Sequence, residues 1–267
     1  MSRTVFNKIV SERWRGTLVY ALGILGYLLM IVAVYPTFKK TMTAKSQLLK
    51  DYPKAVLQFF GVKSINAASF NNYITIELLG LIWIVIMAAF VIAWTRAMIS
   101  GEIHDGTMEL LLSQPVARWQ VLTSEGTGLL VGIVSLAVVT AVGSMALGAA
   151  FGAKVSYSGF AVFLPLGICL GLAMAGYSLL LSALVNDPRR AVMASAGLTL
   201  LFYLIHFGGT YSKVIDKIDW FGIFHYYNPL ATLDSGTVPV KSILLLLAFA
   251  VVGFGLSLWV FQRKDIK

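Results

Sequence analysis

A charged stretch between two long apolar runs holds the side chains best suited to chemistry or binding. From Glu102 to Arg118 it reads Glu-Ile-His-Asp-Gly-Thr-Met-Glu-Leu-Leu-Leu-Ser-Gln-Pro-Val-Ala-Arg. Charged side chains cost roughly 2.5–3.5 kcal/mol each in hydrocarbon, so this insert must lie in water or against protein. A solvated linker would need polarity alone, whereas this insert contains three consecutive leucines, Leu110 to Leu112. The pattern therefore predicts a surface that is buried against another polypeptide.

Helix signals divide the insert into two pieces. Thr107 can cap a helix whose first turn contains Glu109, where a carboxylate interacts favourably with the helix dipole. Pro115 disfavours helix at Gln114 but suits the first turn of a new helix that runs through Arg118. We predict a helix-break-helix elbow at the membrane surface that can transmit a push from a soluble partner.

Composition places the rest of the chain in a membrane. Hydrophobic residues make up 58%, charged residues 12%, and the mean hydropathy is +0.81. These values lie outside the range of soluble domains. Apolar runs of about 20 residues, long enough to cross a bilayer as helix, recur along the chain. The six predicted spans are Thr17–Tyr35, Tyr73–Met98, Gly126–Gly152, Phe160–Val185, Ala191–Phe207 and Ser242–Phe261.

The segments between the spans complete an all-α integral membrane architecture. Residues 1–16 have an apolar face and a charged face, which predicts an interfacial amphipathic helix that stops at Gly16. Residues 37–72 and 208–241 are the predicted outer loops. The cytoplasmic loop, 99–125, contains the coupling elbow. The whole chain, 1–267, reads as a single transmembrane domain.

Arginine placement suggests which side of the membrane each loop occupies. The counts of lysine plus arginine on the two sides are nearly equal, yet every arginine falls on the side of the termini and the insert. Positive charge close to span ends favours the cytoplasm. We therefore expect a multi-pass cell-membrane protein with both termini inside. The formal charge of +9 is scattered among loops, so it does not indicate nucleic-acid binding.

Several features within the spans and outer loop have two explanations. Small residues recur at four-residue intervals, as in Gly167 and Gly171, and serve either general helix packing or a dimer seam. Glu77 is either an interfacial carboxylate or a substrate or proton contact. The aromatic residues around His225 form either an interfacial belt or a binding vestibule. The Asn186–Arg190 turn is a second point at which a partner protein could bind.

The insert resembles the first cytoplasmic loop of type-2 ABC exporter permeases. The matching pieces are Gly101-Glu102, Gly106-Thr107-Met108-Glu109-Leu110-Leu111-Leu112 and Pro115-Val116-Ala117-Arg118. The family pattern is an acidic residue, Gly-Thr-x-Glu-Leu-Leu-Leu and Pro-Val-Ser-Arg, and Ala117 replaces its serine. Three further pieces are similar to family motifs: Pro53 to Gly61 (with Lys54 where the family has an acidic residue), Tyr226 to Pro229, and Phe261 to Ile266.

The resemblance implies six spans per subunit, and two permease subunits assembled with two ATP-binding subunits. The second permease copy is either identical or a paralogue. The loop would act as a coupling helix on the ATP-binding subunit, ATP and Mg would bind to that partner, and the origin would be prokaryotic. The implied coupling residues are Glu102, Asp105, Thr107, Glu109, Leu110, Leu111, Leu112, Pro115 and Arg118.

Missing motifs agree with a non-enzymatic subunit that binds no cofactor or metal itself. The sequence contains no Gly-x-x-x-x-Gly-Lys-Ser/Thr phosphate loop, no His-Glu-x-x-His and no Gly-x-Ser-x-Gly. An ion-gradient-driven secondary transporter is the first alternative, although the spans are almost uncharged. An intramembrane enzyme and a non-transporting assembly protein that recruits an ATPase are the others. None of these observations identifies the transported cargo.

Overall fold

The computed structural model describes residues 3–44, 69–102, 118–209 and 211–264. Its α-helices, in chain order, are α1 (Arg3–Ala44), α2 (Phe70–Ile74), α3 (Ile82–Arg96), α4 (Arg118–Ala150), α5 (Tyr157–Leu184), α6 (Pro188–Gly209), α7 (Lys213–Asp219), α8 (Pro229–Ser235) and α9 (Val240–Arg263). A first π-turn (Thr75–Leu79) follows α2, and a second π-turn (Ala97–Gly101) follows α3. A 3-10 turn (Ile223–Tyr226) lies between α7 and α8.

The predicted all-α membrane architecture is confirmed. Among the described residues, six helical segments are long and apolar enough to cross a membrane. These segments are Arg13–Thr41, Ile82–Gly101, Leu122–Ala150, Tyr157–Leu184, Pro188–Gly209 and Val240–Arg263. Each overlaps one predicted span. The fifth, which the sequence placed at Ala191–Phe207, begins earlier because Pro188 fits the first turn of α6.

The first helix differs from its prediction, because Gly16 does not end it. One continuous helix runs from Arg3 to Ala44. Thr17 reinforces the turn there, since its hydroxyl donates to the carbonyl of Arg13 at 3.4 Å. Backbone groups in an apolar medium must bond within the helix, so one glycine is a weak stop signal there. The helix also extends past Pro36 into the predicted 37–72 loop; the amphipathic stretch near Pro53 lies outside the described residues.

The second span is interrupted, where the sequence predicted one run from Tyr73 to Met98. The first π-turn is closed by a bond from the Gly80 N–H to the Thr75 carbonyl at 2.7 Å. Gly80 and Leu81 then form a turn before α3 begins at Ile82. A π-turn takes one more residue than an α-turn and thereby changes which backbone groups pair. Hydropathy does not detect such a change, because every residue involved is compatible with a helix.

Large aromatic side chains fill the interior of the bundle. Trp83, Phe160 and Phe163 are fully buried, and the Trp83 indole packs edge-on against Phe163 with ring centroids 5.5 Å apart. The Trp83 Nε1–H donates to the Thr140 hydroxyl at 2.9 Å, so its polar atom is satisfied inside the bundle. Aromatic burial of this kind supplies dispersion contacts that lipid cannot replace with the same geometry.

Four glycines of the predicted rows of small residues serve packing within the subunit. A side chain added at any of four glycines would collide with a large side chain of another helix. Gly132 faces Phe90, Gly148 faces Phe70, Gly167 faces Trp83 and Gly171 faces Ile133, with the first added atom 2.5–3.1 Å from its neighbour. These glycines therefore create room for bulky neighbours and are not available to form a seam with a second copy.

The backbones of α5 and α9 cross in direct contact. A Cβ built on Gly253 of α9 would lie 2.5 Å from the carbonyl carbon of Gly176 on α5. The reverse also applies, since a Cβ on Gly176 would meet the Ala250 carbonyl oxygen at 3.0 Å. Small residues at both positions let two backbones touch, which is how helices associate in lipid without a hydrophobic driving force.

Gly253→Leu should force α5 and α9 apart, because the new side chain meets backbone atoms that cannot rotate away. Overpacking typically costs about 1–3 kcal/mol. We expect the detergent-solubilised variant to unfold at a lower temperature than the natural protein in a thermal-stability assay. Gly255→Leu is the matched control on the same helix, since nothing lies within 4 Å of a Cβ there. Equal stability of the two variants would contradict the crossing.

Candidate functional site

The candidate site is the end of the bundle from which the charged insert departs, called here the insert end. The chain leaves this end at Glu102, directly after the second π-turn, and returns at Arg118, where α4 begins. From Arg118 onward the predicted helix into the third span is confirmed, while its predicted start at Pro115 lies outside the described residues. The other predicted coupling residues lie outside the described residues, namely Asp105, Thr107, Glu109, Leu110, Leu111, Leu112 and Pro115. The described part of the site is therefore the framework on both sides of the insert.

Arg13 connects three helices at the insert end. Its Nη1 donates to the Trp94 carbonyl of α3 at 3.2 Å, and its Nη2 donates to Glu125 Oε1 of α4 at 3.3 Å. The guanidinium also lies over the Trp94 ring, 5.3 Å from its centroid. The Arg13 and Glu125 side chains are only 18% and 10% exposed. Removing one partner of such a pair costs about 3–5 kcal/mol, because it leaves an unpaired buried charge.

Sequence reasoning missed this pair. It used Arg13 only as one of the arginines on the side of the termini, and it placed Glu125 just before the third span, whereas Glu125 lies inside that span and is buried. The available signal was an arginine and a glutamate that each border an apolar run. That signal does not identify partners, because 112 residues separate the two positions along the chain.

The second π-turn is contacted by a hydroxyl from α5. The Ser100 N–H donates to Ser182 Oγ at 3.2 Å, and Ser182 Oγ lies 2.9 Å from the Thr95 carbonyl oxygen. Ser100, Ser182 and Thr95 are all buried. The last residue of the turn, Gly101, is closely packed as well, since a Cβ there would lie 3.2 Å from the Arg96 carbonyl oxygen. The backbone just before the insert is thus buried and bonded to α5.

The last span is attached to the same region. Lys264, directly after α9, donates from Nζ to the Ala183 carbonyl of α5 at 2.6 Å. Burial lowers the pKa of Lys264 from its ordinary value. Phe261, one turn earlier, is 1% exposed. The Phe261–Ile266 ending noted in the sequence therefore includes a structural anchor, and α5 meets both α3 and α9 at the insert end.

The turn between α5 and α6 also lies at the insert end. The Arg189 N–H donates to Asp187 Oδ1 at 2.8 Å, and the Arg190 N–H reaches the same oxygen at 3.4 Å. The hydrogen bond from Arg189, followed by the bond from Arg190 and the nearby guanidinium charges, lowers the pKa of Asp187. Arg189 and Arg190 are themselves exposed. Their charges are therefore exposed at the insert end of the bundle.

At the opposite end, tyrosine hydroxyls bond the backbone of the first π-turn. Tyr27 of α1 donates to the Glu77 carbonyl at 3.0 Å, and Tyr227 donates to the Leu79 carbonyl at 3.0 Å. The Tyr227 ring is stacked with Trp83 at 6.0 Å, and Tyr227 is only 6% exposed. The expectation of an interfacial aromatic belt is therefore wrong for Tyr227, whose hydroxyl completes an internal backbone hydrogen bond.

A buried carboxylate joins two histidines near the same end. Asp219, at the end of α7, is 5% exposed and accepts from His206 Nδ1 at 3.1 Å and from His225 Nδ1 at 2.7 Å. His206 belongs to α6 and His225 to the 3-10 turn. The cluster therefore links the segment after α6 to the C-terminal part of α6. Trp220 and Phe221, which follow Asp219, are 52% and 58% exposed, as expected for interfacial aromatics.

Comparison with known proteins assigns the chain to a family. A family model described as "ABC-2 family transporter protein" matches residues 3–266. A search of curated proteins found no match. The match covers nearly the whole chain, and it agrees with six apolar helices, with the predicted spans and with the motifs in the insert. The chain is a membrane permease that belongs to the ABC-2 family of transporter proteins.

Proposed function

We propose that this chain is the permease subunit of an ATP-driven exporter in the cell membrane of a prokaryote. Two permease copies, identical or paralogous, form the translocation path, and the Glu102–Arg118 insert docks on a separate ATP-binding subunit that binds ATP and Mg. The observation that carries the proposal is where the insert is attached. It leaves and re-enters the bundle where side chains from α1, from α5 and from Lys264 after α9 bond to the backbones of α3 and α5.

Such an attachment suits a coupling element. A force on Glu102 acts on the second π-turn, which is bonded to Ser182, and a force on Arg118 acts on α4, which is bonded to Arg13 through Glu125. Because Arg13 also bonds the Trp94 carbonyl, α3 and α4 cannot move independently of α1. Packed and hydrogen-bonded elements transmit displacement over long distances more effectively than solvated loops do. The docking residues themselves are proposed from the family resemblance.

A path between two copies is favoured because the interior of one copy is filled. Its core holds fully buried Trp83, Phe160 and Phe163. By contrast, only 11% of the most apolar 18-residue stretch of α6 is buried within the subunit, whereas 67% of the corresponding stretch of α5 is buried. We therefore place the second copy against α6, whose exposed positions include Met193, Gly197 and Leu200.

The insert end is proposed to face the cytoplasm. Arg13, Arg96, Arg189 and Arg263 lie at or beside this end of the spans, as does Arg118 at the start of α4. Positive residues next to span ends are retained on the cytoplasmic side. Both termini then lie inside, while the loops around 37–72 and 208–241 face outward.

An ion-gradient-driven transporter is the second candidate, because the second span is interrupted. Broken helices in such transporters present free carbonyls to a cation near the membrane midplane. Here the Glu77, Leu79 and Thr95 carbonyls each accept a side-chain hydroxyl instead. Those carbonyls are already hydrogen-bonded, which favours the ATP-driven mechanism.

The purified permease alone should hydrolyse no ATP above background, because it contains no phosphate-binding loop. The measurement is phosphate release from Mg-ATP by permease separated from every co-purifying ATPase. A preparation of the partner subunit, assayed in parallel, is the positive control. Specific hydrolysis that persists in permease free of any other protein would contradict the assignment of ATP binding to the partner.

Cysteine labelling should place the two ends of the bundle on opposite sides of the membrane. In a Cys169→Ser background, Arg190→Cys and Lys213→Cys introduce thiols at exposed positions of the insert end and the opposite end. A membrane-impermeant maleimide should label position 213 in intact cells and position 190 only after lysis. Labelling of position 190 alone in intact cells would reverse the proposed topology.

Charge reversal in the insert should uncouple the complex. If Glu109 and Arg118 contact the ATP-binding subunit, Glu109→Lys or Arg118→Glu creates like-charge contacts that cost several kcal/mol at a desolvated interface. Leu111→Ala should cost about 1–3 kcal/mol if that side chain is fully buried there. We expect the reversals to abolish co-purification of the ATP-binding subunit and ATPase activity of the complex, with permease levels in the membrane unchanged.

Lys213→Glu is the control, because Lys213 is exposed at the opposite end of the bundle. It should leave co-purification and ATPase activity close to those of the natural complex. If Glu109→Lys and Arg118→Glu both retain normal activity at normal membrane levels, the insert is only a solvated linker. That result would remove the main support for the proposed function.

A further inference from the structure

The hydroxyl of Ser182 joins two backbone groups that an undistorted α-helix would not pair. The Ser100 N–H donates to Ser182 Oγ at 3.2 Å, and Ser182 Oγ donates to the Thr95 carbonyl at 2.9 Å. Ser100 Oγ lies 3.1 Å from Ser182 Oγ, but its own proton goes to the Arg96 carbonyl at 3.1 Å. The single proton of Ser182 has two acceptors in reach, the Thr95 carbonyl and Ser100 Oγ, and the shorter distance favours the carbonyl. The Ser182 hydroxyl thus lies between the Thr95 carbonyl and the Ser100 N–H and bonds both of them at the second π-turn.

The width of this turn determines how the chain enters the insert. Successive residues of an α-helix are rotated by about 100° and advanced by about 1.5 Å, so closing a π-turn to an α-turn changes the direction of everything that follows. Glu102 is the next residue after the turn. A side chain that inserts into a helix ladder is a recognised cause of such local distortion. Ser182 therefore bonds the turn from which the insert departs without belonging to the insert.

The helix that carries Ser182 is firmly fixed. The next residue, Ala183, is 0% exposed, and its carbonyl accepts from Lys264 at 2.6 Å. Earlier in α5, the Gly176 backbone touches α9 at Gly253. The packing of α5 against α9 therefore holds the Ser182 hydroxyl in place, and the π-turn is bonded to a side chain that cannot easily move.

We propose that Ser182 is a positioning residue for coupling, whose hydroxyl keeps the second π-turn open and so sets the direction in which the chain leaves α3 for the insert. The functional consequence rests on the proposed coupling to an ATP-binding subunit, whereas the effect on the turn does not. The two parts are separable by experiment, because the turn can be examined in the permease alone.

Ser178 provides a matched control on the same helix. It lies one turn before Ser182, and both residues are 1% exposed. Among the described residues, Ser178 Oγ has no hydrogen-bond partner. Ser178→Ala and Ser182→Ala therefore each remove one buried hydroxyl, but only the second removes a bond to the π-turn. Ser182→Thr keeps a hydroxyl at the critical position and serves as the rescue variant.

The first measurement is amide hydrogen exchange of the full-length permease in lipid nanodiscs. Ser182→Ala should change the exchange rate of the Ser100 amide by at least about ten-fold, the equivalent of one lost hydrogen bond. The rate rises if the Ser100 amide is left without an acceptor, and it falls if the π-turn closes to an α-turn that bonds this amide. Ser178→Ala and Ser182→Thr should match the natural protein. Unchanged exchange at Ser100 in Ser182→Ala would overturn the role of the hydroxyl in the turn.

The second measurement is Mg-ATP hydrolysis by the complex of permease and ATP-binding subunit, together with co-purification of the two. Ser182→Ala should lower this activity by about ten-fold, with Ser178→Ala unaffected and Ser182→Thr largely restored. Equal losses in the two alanine variants, or no loss in Ser182→Ala while exchange at Ser100 changes, would overturn the coupling role. Failure of the proposed function itself would appear separately, as normal activity in the Arg118→Glu and Glu109→Lys complexes.

Discussion

The second span depends on a requirement of the apolar medium, that every backbone carbonyl must find a hydrogen-bond donor. An unsatisfied backbone group in hydrocarbon costs several kcal/mol. The two π-turns disturb the ladder of this span, and side chains from other elements bond the carbonyls at or beside them. Tyr27 bonds Glu77, Tyr227 bonds Leu79, Arg13 bonds Trp94 and Ser182 bonds Thr95. These donors come from α1, α5 and the segment after α7, so the second span organises its neighbours at both ends.

Close packing complements these hydrogen bonds. Glycines admit large aromatic or branched side chains around the second span, as Gly167 does for Trp83. Where both helices contribute a glycine, as at Gly176 and Gly253, the backbones touch directly. Lipid offers dispersion contacts similar to those of apolar side chains, so shape complementarity rather than hydrophobicity determines which helices associate. Of these helices α5 is consequently the most covered, whereas α6 and α9 leave most of their surface outside the subunit's own packing.

This arrangement has a consequence for the proposed coupling. The insert begins after a backbone turn that is fastened to α5, and it ends in a helix that is fastened to α1 through Glu125. Movement of the insert therefore acts on two parts of the bundle at once. Family membership is consistent with this role, because the ABC-2 match extends over nearly the whole chain. In the proposed coupling, the Arg13–Glu125 pair and Ser182 are the contacts through which the spans around the insert would respond together.

The sequence by itself determined the membrane class, the number of spans, the family and the location of the insert. Each of these depends on composition, run length or local motifs such as Gly106 to Leu112, which a single chain displays directly. Only the tertiary structure decided that Gly16 lies within a helix, that the second span is interrupted, and that Ser182 contacts Ser100. These features depend on donors and acceptors that are distant along the chain. Apolar periodicity indicates where a helix lies in the membrane, but hydrogen bonds between helices determine where its backbone departs from regular geometry.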